Sequence, residues 1–214
     1  MICFSEVIAH GIDSPVDFIL SAGESAAVIT SRAIENDAIV KVILGFLPTI
    51  EGSFTLYDER PAFLKESEIS VYRKKIGVIY NDGGFISNLN LWENLTLQIA
   101  FEGVLGKKEI EELGMSALER VGYSGSPSVL VSRLSLFQRR QVAFARATLA
   151  NPCLMIYHST FDGLSRSEQK HLSNLAWEYH EAGDKTSLFL TSYPESLKGM
   201  NFNLIYNTGG TSSI

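Results

Sequence analysis

Apolar positions along the chain fall into two patterns: short uninterrupted runs, and longer stretches with a helical period. Residues 25–29 (SAAVI), 76–80 (IGVIY) and 153–157 (CLMIY) are of the first kind, and 185–191 (KTSLFLT) reads as the last buried strand. Such runs, bounded by polar or turn residues, suit strands buried on both faces of a sheet. Between them the period changes. Residues 38–48 (AIVKVILGFLP) read as a helix after an eight-residue polar loop, TSRAIEND, and Gly45 and Pro48 end it. Residues 107–123 form an amphipathic helix with Ile110, Leu113, Met115, Leu118 and Val121 on one face. Another helix runs from the N-cap Ser135 to Leu149, and a further one spans 167–182 with Leu172, Leu175, Ala176 and Tyr179 inward. Residues 1–20 read as one or two strands turning at Asp13-Ser14-Pro15. Residues 51–72 read as a hairpin followed by a short helix, and residues 203–207 as a last strand before a loose GGTSSI tail. Strands alternating with helices imply a mostly parallel sheet with helices on both faces, an α/β fold.

Composition narrows the class without choosing a function. With 214 residues, 45% hydrophobic and 20% charged, the chain is long enough for one substantial core and is not a disordered composition. A net charge of −6 gives no overall pull toward nucleic acid. Cys3 and Cys153 make neither a disulfide framework nor a metal-spacing motif, and Cys153, inside an expected buried strand, reads as a core thiol. No signal peptide and no run of 18 apolar residues is present, so the expected location is the cytoplasm, without a membrane span.

The chain is organised around residues 134–165, LSLFQRRQVAFARATLANPCLMIYHSTFDGLS: a helix, an Asn151-Pro152 break, a short apolar strand and a polar loop. This stretch resembles the signature helix, second nucleotide strand and D-loop of ABC transporter ATPases, whose pattern is LSGGQ-x-QR-x-x-x-ARAL…hhhhDEPxxGLD. Leu134, Ser135, Gln138, Arg140, Ala145, Arg146, Ala147, Pro152, Gly163 and Leu164 are the residues that carry the resemblance. It implies a three-layer P-loop NTPase-like fold of ABC ATPase type. One domain would cover 1–214, with an N-terminal antiparallel β region and an inserted helical subdomain near 85–135.

Residue by residue, the resemblance places altered side chains at the family's working positions. A working phosphate loop, G-x-x-x-x-G-K-[ST], cradles phosphates with backbone N–H groups, a lysine and a Mg²⁺-binding hydroxyl. Its first glycine falls on Thr30, its second on Glu35, its lysine on Asn36 and its hydroxyl on Asp37. Losing one cation and gaining two anions shifts the loop by three charge units. One like-charge pair at 4 Å costs roughly 4 kcal/mol near a surface, more than the at most about 2 kcal/mol that a helix N-terminus returns. Asn81 takes the Q-loop glutamine's place, one methylene shorter. Leu136 and Phe137 replace the signature glycines between Ser135 and Gln138, and put bulk where a phosphate would approach. His158 and Ser159 stand for the Mg²⁺-supporting aspartate and catalytic glutamate, Ser165 for the D-loop aspartate and Ser192 for the switch histidine. A hydrolase pair of His158 with Ser159 is disfavoured because adjacent residues at a strand end point apart. Near the expected adenine platform only His10 offers a ring, and it reads as a surface histidine.

The segment SNLNLWENLTL resembles the branch serving MCE/Mla-type phospholipid transporters, with Phe85, Leu89 and Trp92 as candidates for contact with a membrane subunit. The expectation is a pseudo-ATPase with no ATP, Mg²⁺ or other metal bound. It would act as a structural or regulatory partner of a permease or of an ABC ATPase subunit, as homo- or heterodimer, in a lipid transporter. The alternatives are a divergent ATPase that still binds ATP, and a free-standing regulatory domain.

Overall fold

In the computed structural model, which describes residues 1–183 and 185–208, two sheets and six helices form three layers. Strands β1 (Ile2–Ala9), β2 (Ile12–Leu20) and β4 (Glu51–Leu56) make an antiparallel sheet in the order β2-β1-β4. A second sheet, wholly parallel, has the order β5-β6-β7-β3-β8. Its members are β3 (Ser25–Ile29), β5 (Ile76–Ile79), β6 (Leu154–His158), β7 (Thr186–Thr191) and β8 (Leu204–Asn207). Helix α1 (Ala33–Ile43) lies between the two sheets, and α2 (Glu66–Lys74) precedes β5. Helices α3 (Leu91–Glu102), α4 (Lys107–Arg120), α5 (Leu136–Leu149) and α6 (Arg166–Glu181) build the third layer.

The uninterrupted apolar runs are explained by the two cores. Leu154 and Ile156 face the core shared with α1 and the antiparallel sheet; Met155 and Tyr157, one residue out of phase, face the core under α5 and α6. Both faces are covered, so every residue of β3, β6 and β7 is buried and no alternation survives in the sequence. Caps define the helix starts. Ser135, Ser165 and Asn90 each accept the backbone N–H three residues on, while Gln138, Glu168 and Glu93 reach back to the cap N–H.

Several expectations need correcting. The first turn is His10-Gly11, where Gly11 takes φ +90, and Asp13-Ser14-Pro15 lie inside β2; this is an edge strand, where proline costs no interior ladder bond. β4 pairs with β1 along its length, and the expected hairpin is reduced to a tight turn closed by one antiparallel bridge between Leu56 and Glu59. α1 begins at Ala33, so Glu35 and Asn36 belong to its first turn and Asp37 to the turn after it, and not to a loop. On α4, Leu113 and Met115 are exposed; Gly114 faces inward instead, allowing Trp92 to pack where a Cβ would come within 2.6 Å of its ring. Cys153 precedes β6 and is exposed, not a core thiol. The GGTSSI tail lies outside the described residues. Among the described residues no helix is long and apolar enough to cross a membrane.

Tyr157 stacks on Phe189 at 4.3 Å inside an aromatic cluster with Phe144 and Phe161. Burial pushes its phenol far above the ordinary range, with Tyr179 adding to the shift and Ser187 opposing it, yet no partner meets hydrogen-bond geometry at its oxygen. Tyr157→Phe should therefore leave stability unchanged or raise it by up to about 1 kcal/mol in urea unfolding. A loss of comparable size would mean that the hydroxyl is bonded.

Candidate functional site

The carboxyl ends of the parallel strands carry the residues singled out in the sequence, the place where open α/β sheets bind ligands. After β3, Thr30 donates through Oγ1 to Asn36 Oδ1 at 2.8 Å, and Asn36 Nδ2 donates to Ser159 Oγ at 3.4 Å. Asn36 is fully buried, so the residue at the lysine position faces protein and not a ligand. Ser159 sits at the end of β6 with φ +48, a left-handed conformation uncommon for serine, and its N–H donates to Leu190 O. The Glu35 carboxylate turns back over the strand end. It accepts from the Ser31 N–H at 3.1 Å and the Thr208 hydroxyl at 2.7 Å, and pairs with Arg32 at 3.3 Å; Arg32 also pairs with Asp13.

His158 Nε2 lies 3.0 Å from Asp37 Oδ1, but off the direction a hydrogen bond needs, so the contact is electrostatic and both ring nitrogens lack a hydrogen-bond partner. Burial lowers the His158 pKa, outweighing Asp37, Asp162 and Asp82, which raise it; Arg140 adds to the lowering. The ring is thus neutral at pH 7. No bond joins it to Ser159, in keeping with the expectation that the two are not a hydrolase pair. The pKa of His180 is also lowered by burial, against Lys185 and Glu181. For both, the folded value lies below the unfolded value of about 6.5, so the unfolded chain binds more protons once pH falls through it. Stability should decline as pH is lowered from 7, by at most about 1.4 kcal/mol per unit for each histidine. Melting curves at pH 7.5 and 5.5 should show a smaller drop for a His158→Asn, His180→Asn variant than for the parent. Equal drops would remove the two histidines as the cause.

A neighbouring cleft of about 550 Å³ brings together Asn81, Leu136, Ser159 and Ser192 with Asp162 and Arg140. Leu136 is 40% exposed and lines this cleft of its own chain. Phe137 corrects the expectation of bulk at both signature glycines: half-buried, it folds back against the His171 ring, centroids 5.5 Å apart, because the core under α6 takes it. Ser135 and Gln138 satisfy each other as a helix cap. Ser165 caps α6 in the same way.

Among the partner-contact candidates, Phe85 lies beneath the Arg146 guanidinium at 4.9 Å, and Leu89 and Trp92 are half-buried. The exposed apolar side chains nearby are instead Ile86, Leu97, Phe101 (90% exposed) and Val104. His10 is exposed at the β1–β2 turn. Among the described residues no cluster of three or more His, Cys, Asp or Glu side chains could hold a metal ion.

Two arginines that carried the resemblance have structural roles the sequence reading did not assign. Arg140, counted there among the matching residues, stands where the pattern has glutamine; the pattern's arginine falls on Gln141. That inversion was the available signal. Arg140 is buried and donates to Asn81 O at 2.7 Å, Ser159 O at 2.9 Å and Thr160 O, and burial holds its pKa down to about 10. Arg146 donates to Gly83 O at 2.6 Å and Gly84 O at 2.8 Å. Together they fasten the segment after β5 to α5. Asp162, also missed, accepts from the Thr191 hydroxyl at 2.9 Å.

Comparison with known proteins gives this arrangement a family. The model for the ABC transporter family matches residues 37–159, more than half of the chain. The chain belongs to the ABC transporter family. It is 24% identical over 169 residues to the intermembrane phospholipid transport system ATP-binding protein MlaF of Haemophilus influenzae, covering 79% of this chain and 64% of that protein. It is also 24% identical over 199 residues to the taurine import ATP-binding protein TauB of Escherichia coli K12, covering 93% and 74%. A dimeric bacterial ABC transporter cassette, MJ0796, superposes with a TM-score of 0.84 at 18% identity, covering 98% of this chain and 95% of that one. The chain thus has the P-loop NTPase-like fold of ABC ATPase type, with the antiparallel β region and added helices that the sequence implied. It spans less than two thirds of the MlaF relative's length.

Proposed function

We propose that this ABC family member is a pseudo-ATPase: a single domain, with helices near 85–135 as its helical subdomain, that holds a partner without hydrolysing nucleotide. The observation that carries the reading is Asn36, buried and bonded to Thr30 and Ser159 at the position where a phosphate-binding lysine would stand. Glu35 and Asp37 flank it and place two carboxylates at the start of α1. These residues do not fit ATP with Mg²⁺. A polyanion would meet no loop cation at the lysine position, and the Ser31 N–H is already taken. His158, neutral, and Ser159 supply no carboxylate pair for Mg²⁺.

The partner is a membrane permease subunit, an ABC ATPase subunit, or both, with the chain at the membrane's inner face through the permease. Exposed Ile86, Leu97, Phe101 and Val104 support a protein contact on the α3 side. A phospholipid cargo rests on the MlaF relative and on the segment 87–97, which leads into α3; relatives named for taurine or thiamine import match comparably. One observation favours a divergent ATPase instead: the cleft beside Ser159 retains a carboxylate, Asp162.

A thermal-shift and calorimetric titration with ATP and ADP, each with and without Mg²⁺, decides between them. No response at millimolar nucleotide is expected. A Mg²⁺-dependent rise in Tm with micromolar affinity would establish the divergent ATPase.

A further inference from the structure

We propose that the Glu35 carboxylate is a tethered anion that permanently occupies the phosphate loop, an autoinhibitory contact built into the first turn of α1. The inference deepens the pseudo-ATPase reading and rests on it. In a loop of this kind the backbone N–H groups and the helix N-terminus favour an anion whatever its source. Here that anion is supplied from within. Glu35 takes one bond from the backbone N–H of Ser31 and one from the Thr208 hydroxyl, and pairs with the Arg32 guanidinium, with its side chain only 9% exposed. Thr208 follows β8, and its hydroxyl also accepts from the Ser31 N–H at 3.3 Å. The carboxylate therefore joins the end of β3, the start of α1 and the end of β8 at one point.

It follows that removing the carboxylate creates a vacancy with a defined preference: a small oxyanion or carboxylate, held by Ser31, Thr208 and Arg32. Neither Asp37 nor His158 touches this point; their contact is with each other, on the next stretch of α1 and the end of β6.

The test is chemical rescue of Glu35→Ala. Melting temperatures of parent and variant are compared in sodium chloride, sodium phosphate and sodium acetate at matched ionic strength. The variant should melt lower in chloride, by on the order of 5 °C for a chain of this size. In phosphate or acetate it should regain at least half of that loss over and above the general rise that these salts give the parent. An absence of rescue, or an equal rise in the parent, overturns the tether. Hydrogen exchange of the parent covers the case of a variant that does not fold. The Ser31 amide should be protected, and exchange at the free-peptide rate overturns the proposal without any variant. The two readings fail separately. Binding of ATP with Mg²⁺ by the parent defeats the pseudo-ATPase, whereas absent rescue without ATP binding defeats the tether alone.

Discussion

Arg140→Met is expected to cost roughly 3–5 kcal/mol of unfolding free energy, because it leaves several backbone carbonyls without their donor. The guanidinium is 3% exposed and donates through Nε to Asn81 O, through Nη1 to Ser159 O and Thr160 O, and through Nη2 to Asp162 O at 3.5 Å. These carbonyls come from the ends of two adjacent parallel strands, β5 and β6, where the chain leaves the ladder. Methionine has similar bulk and no donors, so each carbonyl that depends on Arg140 would lose its partner at about 1–3 kcal/mol apiece. At a pKa near 10 the side chain is charged at pH 7, which strengthens its bonds and raises the cost of losing them. Arg140→Lys should recover little, since one ammonium cannot span donors aimed at separate segments. Urea unfolding measures both variants. A loss below about 1 kcal/mol for Arg140→Met would mean that water or neighbouring groups take over its role.

The second large effect is a gain. Replacing Glu35→Gly, Asn36→Lys and Asp37→Ser together changes the loop by three charge units toward positive, removes the carboxylate from Ser31 and restores a hydroxyl on α1. Even if solvent screening leaves only about 4 kcal/mol of the electrostatic change, phosphate affinity should rise by on the order of 10³-fold. Calorimetry with ADP and ATP should then move from no detectable heat at millimolar ligand to a measurable Kd. Turnover should remain absent, because Ser159 and Ser192 still stand in place of an acid and a histidine. If the triple variant folds, by circular dichroism and melting, yet binds no nucleotide, the loop is not what excludes ATP. Leu136 and the Asn81 segment around the cleft would then be the next barrier.

Much of the architecture was legible from local pattern alone. Apolar runs at 25–29 and 76–80 suit strands covered on both faces, and the sheet is indeed parallel with packing on either side. Ser135 with Gln138 marks a helix start wherever it occurs, since the cap needs only its own turn. The motif frame singled out Thr30, Asn36, Ser159 and His158; hydrogen bonds join Thr30 after β3, Asn36 on α1 and Ser159 after β6, and His158 at the end of β6 meets Asp37 on α1.

What escaped the sequence is where individual side chains point, and what they meet on elements far away along the chain. The pattern marked Phe137 as an obstruction; the structure folds it onto His171, because a core 34 residues further on has room for it. Glu35 read as a repulsive charge, and its partner Thr208 follows β8, 173 residues away. Arg140 read only as a match to the signature pattern, yet it fastens the segments that follow β5 and β6. Cys153 read as core, but lies exposed at the one position where the chain has not yet entered the ladder. Hydrophobic period and capping are short-range properties carried by neighbouring residues, so the sequence determined the elements. The partner of a buried polar group is chosen by long-range packing, so only the tertiary structure decided how the loop and the cleft are filled.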